Sequence, residues 1–476
     1  MAVRVAVVGG GMAGLAAAWH LQQAGASPLV LEATDAVGGL VQTIDLAGRR
    51  LELGADTLVT QKPAAVHLCR RLGLGGDLVF HDAAASATRV LLRGRPTAIP
   101  AGTNLLAPTR WVPLLRSGIL TWRGVLRLAL EPRVPAVPAV FDPEHDESLA
   151  SFVRRRFGRE VLDAFAEPVL ASLFLGDAER LSMRLALPRL LEAERAHGSV
   201  RRALRKAART GRPHAGSGGF ASLRGGLGTL PQRLAAALPR GTVRLNAAVE
   251  RVSRQGDGFA VMLGSGERVL TDAIVLACPA HRAAAMVSDL DAPLAADLSA
   301  LEASSCATVH LVFRGQDVEG HVQGHGFFVP RGAGLPLLAC SYVSEKYPER
   351  ARPGDLIVRA FVGGARDPQA LEGSDKELVA RTQQALAPVL HARAMPVLAH
   401  VQRHDRAMPH FQVGDAPRLA RIAARTQALG PITLAGGLRG AVGVPDVVAS
   451  AQAAADELTA VFRQRPGMVL PQAAVE

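Results

Sequence analysis

The sequence predicts an α/β fold whose main parallel sheet is assembled from separate stretches of chain, with a mixed-sheet unit and a helical insertion between them. Three observations carry this. An uncharged apolar run at 5–8 flows into Gly9, Gly11 and Gly14 and then into the helix-forming LAAAWHLQQAG, which reads as strand, tight turn and helix. Two further apolar strands, DAIVLACPA at 272–280 and ITLAGG at 432–437, lie far downstream. Between about 90 and 210 strand signals thin out and helical periodicity dominates, punctuated by Pro96, Pro100, Pro108, Pro113, Pro132, Pro135 and Pro138.

The first turn explains its own spacing. Gly9 permits the tight turn, Gly11 holds no side chain between backbone and a pyrophosphate, and Gly14 lets the helix pack closely on the strand. The phosphates then sit at the positive helix end. Gly9, Gly10, Gly11, Met12, Ala13 and Gly14 are thus the first candidate cofactor residues. Glu32 ends a second apolar strand at 29–31, placed to accept ribose hydroxyls, which argues against a 2′-phosphate and hence against NADP. The segment after Glu32 decides between NAD and FAD. The second glycine pair in VGGLVQT at 37–43 resembles the segment by which the FAD-dependent amine oxidase and desaturase superfamily wraps FAD, which adds Gly39 and Leu40. ELGADT at 52–57 looks like that superfamily's next FAD and substrate strand, adding Gly54, Ala55, Asp56 and Thr57. FAD is the expected cofactor, on a Rossmann-like domain.

Strands are expected again at 243–252, 258–264 and 272–280, and the chain returns at 432–437 with a strand, a glycine turn and a helix from about Pro445 to Phe462, closing over the flavin. Within the insertion, 111–130 reads as one amphipathic helix. Leu115, Ile119, Trp122, Leu126 and Leu130 recur at helical spacing, with Arg116, Arg123 and Arg127 as a separate stripe. Edge tryptophans and snorkelling arginines suit a helix lying in a membrane interface, and an ordinary core-packing helix with a basic edge is the alternative. RRALRKAARTGR at 201–212 reads as a solvated helix end and loop.

Composition narrows the function classes. With 476 residues the chain is long enough for two or three domains. Its net charge of +12 is almost all arginine, lysine standing only at 62, 206, 346 and 376, and no basic run is interleaved with aromatics, so a nucleic-acid partner is not expected. A basic surface suits anionic substrates or anionic lipid headgroups. Cys69, Cys278, Cys306 and Cys340 show no metal-ligand spacing, so no metal is expected. Cys69 and Cys278 read as core residues. The chain enters its first strand directly and has no charge-free window of about 18 residues, so neither a leader nor a transmembrane span is expected.

Along nearly its whole length the chain resembles the oxygen-dependent protoporphyrinogen oxidases. The matching segments are VVGGGMAGL, LELGADTLVT, LFLGDAERLS (173–182), LRGGLGTLPQRL (223–234), FVGGARDP (361–368), AMPHFQVGD (407–415) and LAGGLRGAVGVPDVV (434–448). The first is shared by many flavoproteins, and the others in this order are more specific. The resemblance implies an FAD-binding domain (1–80, 215–290, 400–465), a substrate domain (81–90, 291–399) and a helical membrane-associating domain (91–214). It implies that Val249 meets the adenine end through its backbone, that Val442, Gly443 and Val444 lie against the isoalloxazine, and that Arg89, just after the Ser86-Ala87-Thr88 turn, grips a substrate propionate. Independently, Arg89 is a fixed cation opening a strand and able to fork onto a carboxylate. Three positions depart from the family: Ser172 where a glycine faces the macrocycle, His404 where a tryptophan stands near the flavin, and Ala441 for a glycine in the last flavin loop.

The implied reaction is oxidation of a porphyrinogen, protoporphyrinogen IX or coproporphyrinogen III, to the porphyrin in three two-electron steps, with O2 as acceptor and hydrogen peroxide as product. Aromatisation drives it, so no strong side-chain base is required, and no Ser/His/Asp or paired-carboxylate constellation is present to nominate; His404 and His410 read equally well as structural. The expected setting is the cytoplasm, peripheral on the inner face of the cell membrane, as a homodimer. Two rivals stand beside this. An amine oxidase or related desaturase would flank the flavin with aromatics, yet the tyrosines here are Tyr342 and Tyr347 and every tryptophan lies before residue 123. A flavin- or porphyrin-binding paralogue without turnover is the other.

Overall fold

The computed structural model describes residues 2–81, 88–100, 103–104, 107–108, 111–137, 142, 144–209, 219–319 and 324–464. Five parallel strands form the first sheet, in the order Val243–Arg244, Ser27–Leu31, Arg4–Val8, Ala273–Leu276 and Ile432–Leu434. Ala273–Leu276 and Ile432–Leu434 are buried throughout, because a parallel sheet is covered on both faces and uncharged runs are what such strands require. On one face lie the helices Met12–Gln23 and Val444–Gln464. Ala16, Ala17 and Ala18 on the first and Ala451, Ala454 and Ala455 on the second are all buried in one core, small side chains that let the two helix backbones approach closely.

The strand expected at 243–252 is two strands. Asn246 takes a left-handed conformation (φ 53°), which ends the parallel strand Val243–Arg244 and lets the chain restart as Val249–Gln255, antiparallel to Gly258–Leu263. The other expected elements appear as Met12–Gln23, Ser27–Leu31, Gly258–Leu263, Ala273–Leu276, Ile432–Leu434 and Val444–Gln464.

A seven-stranded mixed sheet forms the second unit, in the order Leu398–Pro409, Ala303–Arg314, Asp355–Gly363, Ala339–Tyr342, Gly326–Phe328, Arg89–Leu92 and Arg95–Ala98. It extends past the boundaries expected for a substrate domain at both edges. Arg95–Ala98 folds back on Arg89–Leu92 as a hairpin, with Arg93 and Gly94 at positive φ in the turn, and Leu398–Pro409 pairs with Ala303–Arg314 along most of its length. Both were expected in neighbouring domains. Hydrogen-bonded pairing, not position in the chain, decides where they belong.

The third unit is helical, built on Leu149–Arg156, Pro188–His197, Val200–Arg209 and a π-helix, Leu162–Ala171, with Pro168 inside it. The single helix expected over 111–130 is corrected to two, Trp111–Ser117 and Trp122–Ala129. Gly118 at φ 64° breaks the run, and Thr121 restarts it by accepting from Gly124 N at 3.2 Å. The buried stripe is Leu114, Leu120, Val125 and Leu128, whereas Leu115, Trp122, Leu126 and Leu130 are exposed. Arg116 and Arg123 are exposed too, but Arg127 turns inward and donates to the carbonyls of Arg155 and Arg156 at 2.6 and 3.1 Å. Among the described residues no helix is long and apolar enough to cross a membrane.

Underneath lies a buried polar hub. Arg156 and Glu131 are both fully buried and paired, Glu131 also accepts from Ser199 Oγ (2.5 Å) and Val200 N (3.2 Å), and Arg156 also donates to the carbonyls of Val134 and Gly198, both at 2.9 Å. Residues 210–212 of the basic tract, and Ser86 and Ala87 before Arg89, lie outside the described residues.

Candidate active site

The glycine turn crosses the carboxyl end of the first sheet, where ligands bind in open parallel sheets. Gly9 takes φ 109°, and a Cβ on Gly14 would stand 1.9 Å from the Gly9 carbonyl oxygen, so this helix can pack here only on bare backbone. Gly11 differs. Its φ of −74° suits any residue, and a Cβ there would meet only Gly39 Cα, at 3.9 Å. The second glycine pair is folded directly onto the first: Gly38 N donates to Gly10 O at 2.9 Å, and Gly11 bridges Gly38. No side chain caps Met12–Gln23 and no acidic residue stands in its first turn. The result is a backbone-lined crevice at the positive end of a helix, which fits a pyrophosphate.

Glu32 lies beside it. Its Oε2 accepts from Gly10 N at 2.6 Å and its Oε1 from Thr34 N and Oγ1 at 2.8 and 2.7 Å, which leaves Oε2 the capacity to accept a hydroxyl as well. The Glu32 carbonyl accepts from Ala247 N at 2.8 Å, which brings the start of Val249–Gln255 to the same end of the sheet. The ladder slips between Val249, opposite Leu263, and Arg251, opposite Met262, which leaves Glu250 as the extra residue of a bulge next to Val249. Across the turn, Gly436 packs on Ala13 (3.0 Å from its would-be Cβ), and Val442, Gly443 and Val444 lead into the second helix of the pair.

Residues 52–57 are held from the mixed sheet. Arg359 donates to the carbonyls of Glu52 (3.1 Å) and Gly54 (2.9 Å), while Thr308 Oγ1 and His404 Nε2 both donate to the carbonyl of Leu53, at 2.9 and 2.8 Å. Burial, followed by Arg359, pushes the His404 pKa down, so the ring is neutral and serves as this donor. Asp56 pairs with Lys346 at 3.0 Å and Arg359 at 3.1 Å and accepts from Thr57 Oγ1 at 2.9 Å. Burial alone would raise its pKa, but the two cations win and hold it well below the usual carboxylate range. Beneath this, Glu52 pairs with the buried Arg350 at 3.0 Å, and burial raises the Glu52 pKa against that pull.

Arg89 opens its strand on the far side of the mixed sheet, half-buried, with its guanidinium against Gly324 and close to Tyr342 and His325. Burial, then Lys346, pushes His325 down to about 4, and its ring stands 5.6 Å from that of His81, which in turn stands 4.9 Å from Tyr347. Ser172 follows the π-helix, whose residues pack on the Arg89 strand, and its Oγ donates to Leu338 O at 3.4 Å. The three family departures fit this backbone: the Ser172 hydroxyl and the His404 ring are each occupied by a carbonyl, and Ala441 does not stand at a positive φ. His410 is buried and accepts from Asp177 N at 3.3 Å.

Lys346, Tyr347, Arg350 and Arg359 escaped the sequence reading. Arg359 could have been noticed as the one charge inside the apolar LIVRAFVG, and Lys346 as one of four lysines. Neither signal names Asp56 as the partner.

The sequence pattern of the flavin-containing amine oxidoreductases matches residues 12–459. Coproporphyrinogen III oxidase of Bacillus subtilis (strain 168) is 29% identical over 96% of this chain and 98% of its own. Protoporphyrinogen oxidase of Homo sapiens is 32% identical over 95% and 97%. A solved structure from Exiguobacterium sp. 255-15, provisionally named a protoporphyrinogen oxidase, superposes with a TM-score of 0.84 at 28% identity and covers 97% of this chain and 99% of that one.

Proposed function

The chain belongs to the flavin-containing amine oxidoreductase family, in the branch that holds the porphyrinogen oxidases, and takes FAD; from that premise we propose that it oxidises protoporphyrinogen IX or coproporphyrinogen III to the porphyrin in heme synthesis, with O2 as acceptor and hydrogen peroxide as product. The observation that supports this reading is Arg89 opening a strand of the mixed sheet beside His325, whose ring also feels Lys346 and Asp56. The glycine turn, Glu32, residues 39–40 and 54–57, Val249, His404 and residues 442–444 hold the cofactor. When bound, FAD accepts the two electrons of each step.

The protein positions the substrate. A porphyrinogen is an apolar disc with carboxylates at its edge, so a pocket can grip the ring without choosing its orientation, whereas one guanidinium on a carboxylate fixes which meso carbon is presented. His325 beside Arg89 is neutral, so it offers ring surface without competing for the propionate, while the neutral Tyr342 is buried against Phe327. Ser172 lies by the same strand. Aromatisation drives the reaction, so these groups bind and orient and none has to act as a strong base.

Arg89→Ala should keep its FAD and its melting temperature while kcat/KM on porphyrinogen falls at least tenfold, about 1.4 kcal/mol of transition-state binding. Arg89→Lys should recover part of it, because a point charge lacks the fork. Anaerobic mixing with porphyrinogen reads the assignment directly: the flavin of the parent should bleach. A parent that stays yellow has another substrate, and an Arg89→Ala enzyme that turns over like the parent has its anchor elsewhere.

In the same reading the enzyme works on the cytoplasmic face of the membrane, with the helical unit in the lipid interface. What supports this is the exposure of Leu115, Trp122, Leu126 and Leu130 next to Arg116 and Arg123. Each basic residue near an anionic surface contributes on the order of 1 kcal/mol. Arg116→Gln with Arg123→Gln should therefore weaken binding to phosphatidylserine vesicles by about thirtyfold, about 2 kcal/mol, and flatten its salt dependence. Arg127, turned inward, is left out. Equal co-sedimentation of parent and variant would remove the interface reading.

A further inference from the structure

Asp56 is the one acid in the segment 53–57, and what neutralises it comes from the mixed sheet, Arg359 on the strand Asp355–Gly363 and Lys346 just after Ala339–Tyr342. Lys346 and Arg359 both reach its Oδ2, and the three side chains are only 12%, 3% and 15% exposed, for Lys346, Arg359 and Asp56 respectively, so solvent screens the group poorly. Lys346 Nζ also donates to Thr57 Oγ1 at 2.5 Å, and Tyr347 OH lies 3.1 Å from the same hydroxyl. The two cations differ in what else they do. Arg359 holds the carbonyls of Glu52 and Gly54 and so braces the backbone, whereas Lys346 touches the segment only at its side-chain oxygens. The segment would keep its shape without Lys346. Its charge would change.

We infer that Lys346 is a positioning residue that sets the charge balance at the flavin: with Arg359 it turns the isolated carboxylate of Asp56 into a half-buried cluster of net charge +1. The inference rests on the reading that residues 54–57 lie against FAD. Reduction adds two electrons and fewer than two protons above the pKa of the reduced flavin, so the product is the more anionic form, and a fixed positive excess nearby favours it. Without Lys346 the cluster is neutral and the preference is lost. Without the Asp56 charge the excess is larger and reduction is easier.

The test is a redox titration of the FAD-loaded protein with a xanthine/xanthine oxidase reductant, which needs no porphyrinogen. Lys346→Met should lower the midpoint potential by about 30 mV or more, a tenfold change in a two-electron equilibrium. Asp56→Asn should raise it, and the two substitutions together should return it close to the parent. Lys346→Arg should leave it near the parent. Opposite signs for the two single variants are a signature of charge that a brace would not produce. If both leave the potential unchanged while the melting temperature drops, the cluster only braces the segment and the inference is overturned. If Lys346→Met does not hold FAD, Asp56→Asn and the double variant decide together: a potential raised in the single variant and returned near the parent's in the double supports the charge balance, and one unchanged in both, or well below the parent's in the double, overturns the inference. Bleaching by porphyrinogen is measured separately, so a wrong substrate and a wrong role for Lys346 give different results.

Discussion

Gly11→Val should give a folded, colourless protein. Gly11 sits at an ordinary φ, and a Cβ there meets nothing closer than Gly39 Cα at 3.9 Å, so the fold can accept the side chain. The space it enters is the crevice between the two glycine pairs, at the uncapped end of Met12–Gln23, where the pyrophosphate must approach bare backbone. Circular dichroism and the melting profile of the apoprotein should match the parent's, while absorbance near the flavin band is absent. Gly14→Val is the control. Its Cβ would stand 1.9 Å from the Gly9 carbonyl, a backbone atom with nowhere to go, so that variant should fail to fold. Full FAD occupancy in Gly11→Val would remove the glycine turn from the cofactor site.

Arg156→Met should destabilise the protein by about 3–5 kcal/mol, because it removes the main partner of a carboxylate that has no access to water. Glu131 and Arg156 are both fully buried, and what would remain around Glu131 is the Ser199 hydroxyl and backbone N–H groups. Against a typical total of about 5–15 kcal/mol this is a large loss. Glu131→Leu combined with Arg156→Met should recover most of it, since two apolar side chains of similar volume need no partner. Urea unfolding followed by tryptophan fluorescence reads it, as Trp111 and Trp122 lie in this unit. A single variant as stable as the parent would mean that water reaches the hub.

The rival amine oxidase reading depended on where the aromatics lie. Tyr347 is buried, stands over Arg350 and bonds Thr57, bound into the polar network. Its ring is packed on a guanidinium 3.8 Å from the centroid.

The 111–130 segment shows what periodicity leaves open. Two apolar stripes run along it, and spacing is the same for both. Packing against Leu149–Arg156 and its neighbours chose Leu114, Leu120, Val125 and Leu128 as the core. Leu115, Trp122, Leu126 and Leu130 of the other stripe are exposed, and Ile119 packs half-buried on the core. Gly118 and Thr121, which break and restart the helix, carry no mark in the hydrophobic spacing.

By itself the sequence determined the parts whose physics is local. The glycine turn, Glu32 and the parallel strands lie within short strand–turn–helix units, where bare backbone, a positive φ and an uncharged run each leave a mark at fixed spacing. Only the tertiary structure decided the clamp on residues 52–57. Lys346 is separated from Asp56 by 290 residues, and the strand that carries Arg359 meets Asp56 only because two separate sheets dock along the crevice. No periodicity records such a meeting. Charge partners of this kind are chosen by the three-dimensional path of the chain, and an arginine in an apolar strand announces only that a partner must exist.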